Sequence, residues 1–264
     1  MAAAPPYFDF LIPERRAGRA GPDVHLGYWD TPPEPGAATL PGEFAAAQAR
    51  LTKRVIDLLP QSRGGKFLDV ACGFGGTLAA LAARLAPARL AGVNIDPRQL
   101  ALCRQTAAGA ALVLADACRL PFAEGAFDHV LCVEAMFHFA SRAAFLAEAA
   151  RVLRPGGTLV VTDMLMQPPP YLDAGELAGA LAVVRRDYGV WPEPWVEGAA
   201  LVATAGSAGL ELRYQADWSG NTQPSYRWIA PPESPQAADA GSIFRRWQAG
   251  GWVKYEVMVF GRVG

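Results

Sequence analysis

Lysine is scarce in this chain, standing only at positions 53, 66 and 254, and the arginines that carry the remaining basic charge are scattered. With a formal net charge of −1 and no basic stripe, the sequence offers no electrostatic face for nucleic acid. The arginine bias reads as codon usage in a GC-rich genome. Cysteine is sparse too, and residues 72, 103, 118 and 132 form no C-x-x-C pair. Each lies in or beside an expected strand or helix, so buried free thiols in a reducing cytoplasm are the simplest account. No apolar run reaches the roughly eighteen residues of a membrane span. The opening MAAAPPYFDFLIPERR lacks a basic start followed by an unbroken apolar core, so no signal peptide is expected. No cluster of His, Cys, Asp or Glu has metal-ligand spacing, and no metal is expected.

What is present points to one α/β domain. A chain of 264 residues, 52% of them hydrophobic, has ample material for a core and a modest cap. Residues 1–42 are rich in Pro and Gly, with Tyr7, Phe8, Phe10, Tyr28 and Trp29 among them, and read as an arm or lid. The main domain spans 43–264. It opens on a helix over about 43–59, with Phe44, Ala47, Leu51, Val55 and Leu58 at helical spacing and Pro60 at its end. Strands are then expected near 66–71, 89–94, 110–115, 127–133 and 157–162, with helices near 76–86, 97–109 and 141–153. Such alternation implies βαβ units and a doubly wound parallel sheet. A proline-bounded helical insertion at about 164–196 forms a cap, and a helix near 196–208 and a strand near 209–216 return to the sheet. Residues 217–250 read as irregular and aromatic, and the alternating 252–262 as a last, antiparallel strand of about seven.

The stretch KFLDVACGFGG (66–76) carries the most information. An apolar strand ends at Asp69 and breaks into Gly73, Gly75 and Gly76, after which TLAALAARL reads as a helix. Glycine permits a sharp turn at positive φ and close approach of a ligand, and the helix N-terminus presents unpaired N–H groups. Nucleotide-type cofactors sit at such junctions. As a G-x-G-x-x-G pattern, residues 71–76 place alanine at the tight-turn glycine, and the next strand ends in Asn94 where an NAD site wants an acid. An NAD oxidoreductase is therefore disfavoured. Read as D-x-G-x-G-x-G, residues 69–75 again carry one alanine, Ala71.

Further on come Asp116-Ala117 after ALVLA, then FDHVLCVEA (127–135) and RVLRPGGTLVVTD (151–163). This ordered series resembles class I S-adenosylmethionine-dependent methyltransferases. It is most similar to the small-molecule branch that includes ubiquinone/menaquinone, tocopherol and sugar O-methyltransferase-like enzymes. The resemblance covers roughly residues 45–165, and the opening VHLGYWD more weakly. It implies a Rossmann-like fold, S-adenosylmethionine as cofactor with S-adenosylhomocysteine as product, and a small-molecule acceptor. Onto this sequence it carries Asp69 for the cofactor's amino group and Ala71, Gly73, Phe74 and Gly75 as the surrounding turn. Asn94, followed by Ile95, stands in place of the usual acidic ribose ligand, with Gln99 as a possible supplementary partner. Asp116 and Ala117 fall to the adenine, and Glu134 to the cofactor backbone or a substrate hydroxyl.

Three histidines are available for chemistry. His129 lies within a strand and reads as core. His138 follows the fourth strand at its carboxyl end, and its ordinary pKa near 6.5 suits a general base at neutral pH. His25, Tyr28 and Trp29 from the arm, with Trp191 and Trp218, are the candidates for lining a substrate site or lid. O-methylation in secondary metabolism is the expected activity. C-methylation of an isoprenoid or quinone-type acceptor is the alternative. A non-catalytic cofactor-binding protein is opposed by the intact Asp69, Asp116 and glycine turn.

Overall fold

Seven strands form one sheet in the order β3-β2-β1-β4-β5-β7-β6. They are β1 (Lys66–Val70), β2 (Arg89–Asn94), β3 (Ala111–Leu114), β4 (Phe127–Val133), β5 (Leu153–Met166), β6 (Leu210–Asp217) and β7 (Val253–Arg262). The first five are mutually parallel, and β7 runs antiparallel between β5 and β6. The computed structural model describes residues 5–34, 40, 42–60, 64–86, 88–229 and 239–264. Among these no helix is long and apolar enough to cross a membrane. The parallel strands read as apolar runs because both sheet faces are covered: Phe67, Leu68 and Val70 of β1 are buried, as are Val130 and Leu131 of β4.

The helices are α1 (Phe8–Arg16), α2 (Glu43–Asp57), α3 (Gly76–Leu85), α4 (Pro97–Thr106), α5 (Arg142–Val152), α6 (Ala174–Tyr188), α7 (Gly198–Ser207), the single turns α8 (Ser219–Thr222) and α9 (Tyr226–Ile229), and α10 (Ala240–Ala249). Their starts follow local chemistry. Asp96 caps α4 through the Arg98 N–H with Pro97 in the first turn, Ser141 caps α5, and Asp173 and Glu176 form a reciprocal capping box on α6. By contrast α3 begins at Gly75, with φ 91° and no side-chain cap, which leaves its N-terminus to other partners.

Two sequence expectations change. Where described, residues 217–250 are helical rather than irregular. Asp239 caps α10 through the Ser242 N–H, and Ile243, Phe244 and Trp247 fall on one buried face. The fifth strand also begins and ends outside 157–162: its start pairs Leu153 with Phe127 of β4, and its end follows β7 along Thr158↔Gly261 to Met166↔Val253.

The arm is structured where described, although part of 1–42 lies outside the described residues. Its helix α1 tolerates Pro13 in its middle and packs Phe8 and Ile12 on Phe74 and Leu102. Residues 22–29 then cross the glycine turn and dock on α2: Gly76 N–H donates to the Pro22 carbonyl, and Tyr28 N–H to that of Ala47. Trp29 stacks on Trp228 at 5.4 Å and on Phe44 at 6.4 Å. Trp29→Ala should cost about 3–5 kcal/mol, the usual loss for emptying a buried tryptophan site. A lower urea midpoint with an unchanged slope would register it, and a midpoint equal to that of the intact chain would show that the arm adds nothing to stability.

Candidate functional site

A cavity of about 700 Å³ opens at the carboxyl ends of β1, β2 and β4, where the strand order reverses between β1 and β4. This is the crevice in which open α/β sheets bind ligands. Its wall contains Asp69, Ala71, Gly73, Phe74, Asn94, Ile95, Gln99, Asp116, Ala117, Glu134, His25 and His138. Gly75 is not in the wall but beneath it, at φ 91°, where an added Cβ would lie 2.8 Å from Cys103 Sγ. The turn itself is left-handed at Ala71 (φ 64°) and Gly73 (φ 52°). Alanine at 71 thus takes the conformation that glycine usually supplies, at a strain cost of about 1 kcal/mol or more.

Asp69 is buried, and its Oδ2 has no hydrogen-bond partner. Burial pushes its carboxyl pKa up to about 8, with the nearby Asp23 adding to the rise and His25 opposing it. Glu134 sits at the end of β4 with φ 53°, its Oε2 accepting the Leu26 N–H of the arm at 2.9 Å. Burial raises its pKa to about 7. His25 Nδ1 donates to the Leu26 carbonyl at 2.7 Å. Its Nε2 lies 2.9 Å from Thr52 Oγ1 and 3.4 Å from Asp23 Oδ1. Burial works against charge on His25, but Asp23 and Glu134 outweigh it and hold its pKa above the ordinary value. Three carboxyl groups, of which that of Asp69 is buried, therefore surround one imidazole, and the Asp69 Oδ2 lacks a partner. The arrangement suits a cationic group of a ligand.

Asn94 does not present a free amide to the cavity. Its Nδ2–H donates to Gln99 Oε1 at 2.8 Å, and its Oδ1 accepts the Asp96 N–H at 3.0 Å. Gln99 Nε2 is buried and has no partner at all. Gln99 is 1% exposed rather than on a helix surface, so the polar group available to a ribose belongs to it. Asp116 forms an Asx turn, its Oδ1 accepting the Cys118 N–H at 2.9 Å, while its side chain also borders the cavity.

His138 closes the 3₁₀ turn Met136–His138. Its Nε2 lies 3.4 Å from Tyr7 Oη, and burial lowers its pKa to about 4. Asp163 fixes this turn by accepting the Phe137 N–H at 3.2 Å and pairing with Arg142 Nε at 2.8 Å. Arg142 in turn donates to the Glu193 carbonyl of the cap at 2.7 Å.

The four expected aromatic lid residues other than His25 do not reach the cavity wall. Tyr28 meets Trp218 edge-on at 5.2 Å and lies under the Arg54 guanidinium, Trp29 is in the stack described above, and Trp191 lies against Phe137 and Phe244 at 4.2 and 5.1 Å. Their large apolar faces are consumed in docking arm, cap and C-terminal segment. The wall instead holds Tyr7, Asp23, Val24, Arg185 and Val190, which sequence reasoning did not single out. Asp23 was the most detectable of them, two residues before His25 in the arm.

Residues 68–161 match the family model described as a methyltransferase domain. Methyltransferase GfsG of Streptomyces halstedii is 32% identical, over 79% of this chain and 73% of that protein. The 27-O-demethylrifamycin SV methyltransferase of Amycolatopsis mediterranei is 34% identical, over 78% and 73%, and demethylmenaquinone methyltransferase of Thermus thermophilus 33%, over 81% and 87%. Among solved structures, geranyl diphosphate C-methyltransferase from Streptomyces coelicolor A3(2) superposes with a TM-score of 0.76 over all of both chains at 16% identity, a likeness of fold. With a glycine turn at the switch point, an unpartnered buried carboxylate beside it, and relatives of this identity and coverage, the chain belongs to the class I S-adenosylmethionine-dependent small-molecule methyltransferases.

Proposed function

We propose that this enzyme methylates an oxygen of a small, largely apolar acceptor in secondary metabolism. One observation carries the reading: one cavity is bordered both by the acids Asp23, Asp69 and Glu134 and by His138, Phe139, Ala140 and Val190. When bound, S-adenosylmethionine supplies an electrophilic methyl group on a sulfonium. Asp69 would hold its amino group, Gln99 Nε2 a ribose oxygen, and Asp116 with Ala117 the adenine. Alignment of the acceptor within the cavity supplies much of the rate. The relatives named for 27-O-demethylrifamycin SV support oxygen as the target, and the free cysteines support a reducing cytoplasm as its setting. A quinone-type acceptor is the second reading, favoured by the demethylmenaquinone methyltransferase relative of which this chain spans 87%. The test is a screen of phenols, alcohols and quinols for release of S-adenosylhomocysteine, with the new methyl located by NMR. Methylation confined to ring carbon would overturn the oxygen assignment.

His138 is the group proposed to receive the acceptor's proton. Because burial holds its pKa near 4, it is neutral throughout the physiological range, and the rate should show no inflection near pH 6.5 that belongs to it. This replaces the sequence expectation of a titration at the ordinary histidine value. His138→Gln should lower kcat by about 10²–10⁴-fold, the usual contribution of a positioned base, with cofactor affinity unchanged by calorimetry. Retention of the full rate would remove His138 from the chemistry.

A further inference from the structure

We infer, building on the methyltransferase reading, that the acceptor bears an anionic group on an apolar body, and that Arg185 at the cavity mouth binds that group. Arg185 lies in the last turn of α6 and borders the cavity. The end of that helix forms the acceptor-side wall together with the arm. A Cβ added to Gly189 would lie 3.1 Å from Pro6 and 3.3 Å from Pro5, and Tyr188 faces Tyr7 at 5.5 Å, the same Tyr7 whose hydroxyl lies beside His138.

Among the described residues the Arg185 side chain has no hydrogen bond or ion pair. Its neighbours in charge are already matched. Arg186 pairs with Asp187 at 2.6 Å, and Asp9, which also borders the cavity, pairs with Arg98 at 2.6 Å. Among the described residues Arg185 is thus the arginine of the cavity wall left unmatched, followed in the chain by Gly189, Val190 and Pro192 of the same wall.

The rest of the cavity wall carries the acids Asp9, Asp23, Asp69, Asp116 and Glu134 against the histidines His25 and His138. An anion is disfavoured beside those acids and attracted to Arg185, so charge orients the acceptor. Its anionic group stays at the mouth, and its apolar part, with the reacting oxygen, points inward toward His138. A guanidinium offers a planar pair of donors that matches a carboxylate, sulfonate or phosphate. Because Arg185 is exposed, the preference should be modest and screened by salt.

Three probes of one shape test this: 2-naphthol, 6-hydroxy-2-naphthoate and 6-hydroxynaphthalene-2-sulfonate, each titrated calorimetrically into the full chain saturated with S-adenosylhomocysteine. At low salt both anions should bind about three- to fivefold more tightly than 2-naphthol, and the advantage should shrink as salt is raised. Arg185→Ala should bring the ratio close to one, Arg185→Glu should invert it, and Arg186→Ala should leave it intact. The two anions together show whether carboxylate and sulfonate are taken alike or one is preferred. A wild-type ratio of one, a ratio preserved in Arg185→Ala, or no binding of any probe at millimolar concentration would overturn the assignment. Binding of S-adenosylhomocysteine, measured first in every sample, separates the two levels: its loss in the wild type would overturn the methyltransferase reading, whereas its retention with a ratio of one would overturn the role of Arg185 alone.

Discussion

Replacing Asp69 by alanine is expected to abolish measurable binding of S-adenosylmethionine while the chain stays folded. The carboxylate is buried, its Oδ2 is without a partner, and it borders the cavity beside the glycine turn. Removing one member of a buried charge pair costs about 3–5 kcal/mol, which is 10²-fold or more in affinity. The pH dependence has a definite sign. In the free protein the pKa is pushed up to about 8 by burial, so below that pH the carboxyl keeps its proton. A bound ammonium favours the carboxylate, so binding must release that proton, and affinity should rise with pH until about 8 and then level. The same shift bears on folding. A carboxyl whose folded pKa lies above its unfolded one adds stability below the ordinary carboxylate range, and that contribution is lost as pH rises through about 8. Asp69→Asn keeps the shape without the titration. Its stability at pH 9 should equal or exceed that of the wild type, and only the pH dependence owed to His25 and Glu134 should remain in its ligand binding. Calorimetry in buffers of different ionisation enthalpy reads the proton directly. Wild-type affinity in Asp69→Ala would remove Asp69 from the site.

Gly73→Val should likewise eliminate cofactor binding, by two separable effects. Gly73 has φ 52°, a region in which a β-branched residue is strained by about 1–3 kcal/mol. The new Cβ would also press on Val24 of the arm, 3.2 Å away, and fill the space into which the cofactor must come. Gly125→Ala separates strain from obstruction. Gly125 has φ 65°, its added Cβ meets only Arg154 Cα at 3.8 Å, and it does not border the cavity. That variant should lose stability and keep full cofactor affinity. Equal losses of affinity in both variants would mean that the turn acts through folding alone.

Much of this architecture was legible from local pattern. Asp69 at the end of an apolar strand, followed by three glycines and a helix, is a local signal, since turn geometry depends on φ at a few consecutive residues. Asp116 and Glu134 were read in the same way, from strand ends. Asn94 shows where this stops. It borders the cavity, but its amide is engaged by Gln99 and by the Asp96 N–H, a pairing that no spacing rule reveals. The tryptophans failed for a related reason. An aromatic in a loop serves equally to line a cavity or to pin one segment to another, and Trp29, Trp191 and Trp218 do the second.

The sequence by itself determined the α/β alternation, the glycine turn between β1 and α3, and the acids that follow the strand ends, because each depends on hydrophobic period, capping and φ preference over a few residues. Tertiary structure alone decided that Tyr7, Asp23 and His25, from before α2, border one cavity with the glycine turn, and that Arg185 of α6 borders it too. It also set His138 near pKa 4 and Asp69 near 8. Those properties arise chiefly from burial by segments brought together across more than a hundred residues of chain, as Tyr7 is against His138, and loss of water around a group is fixed only when the whole fold surrounds it.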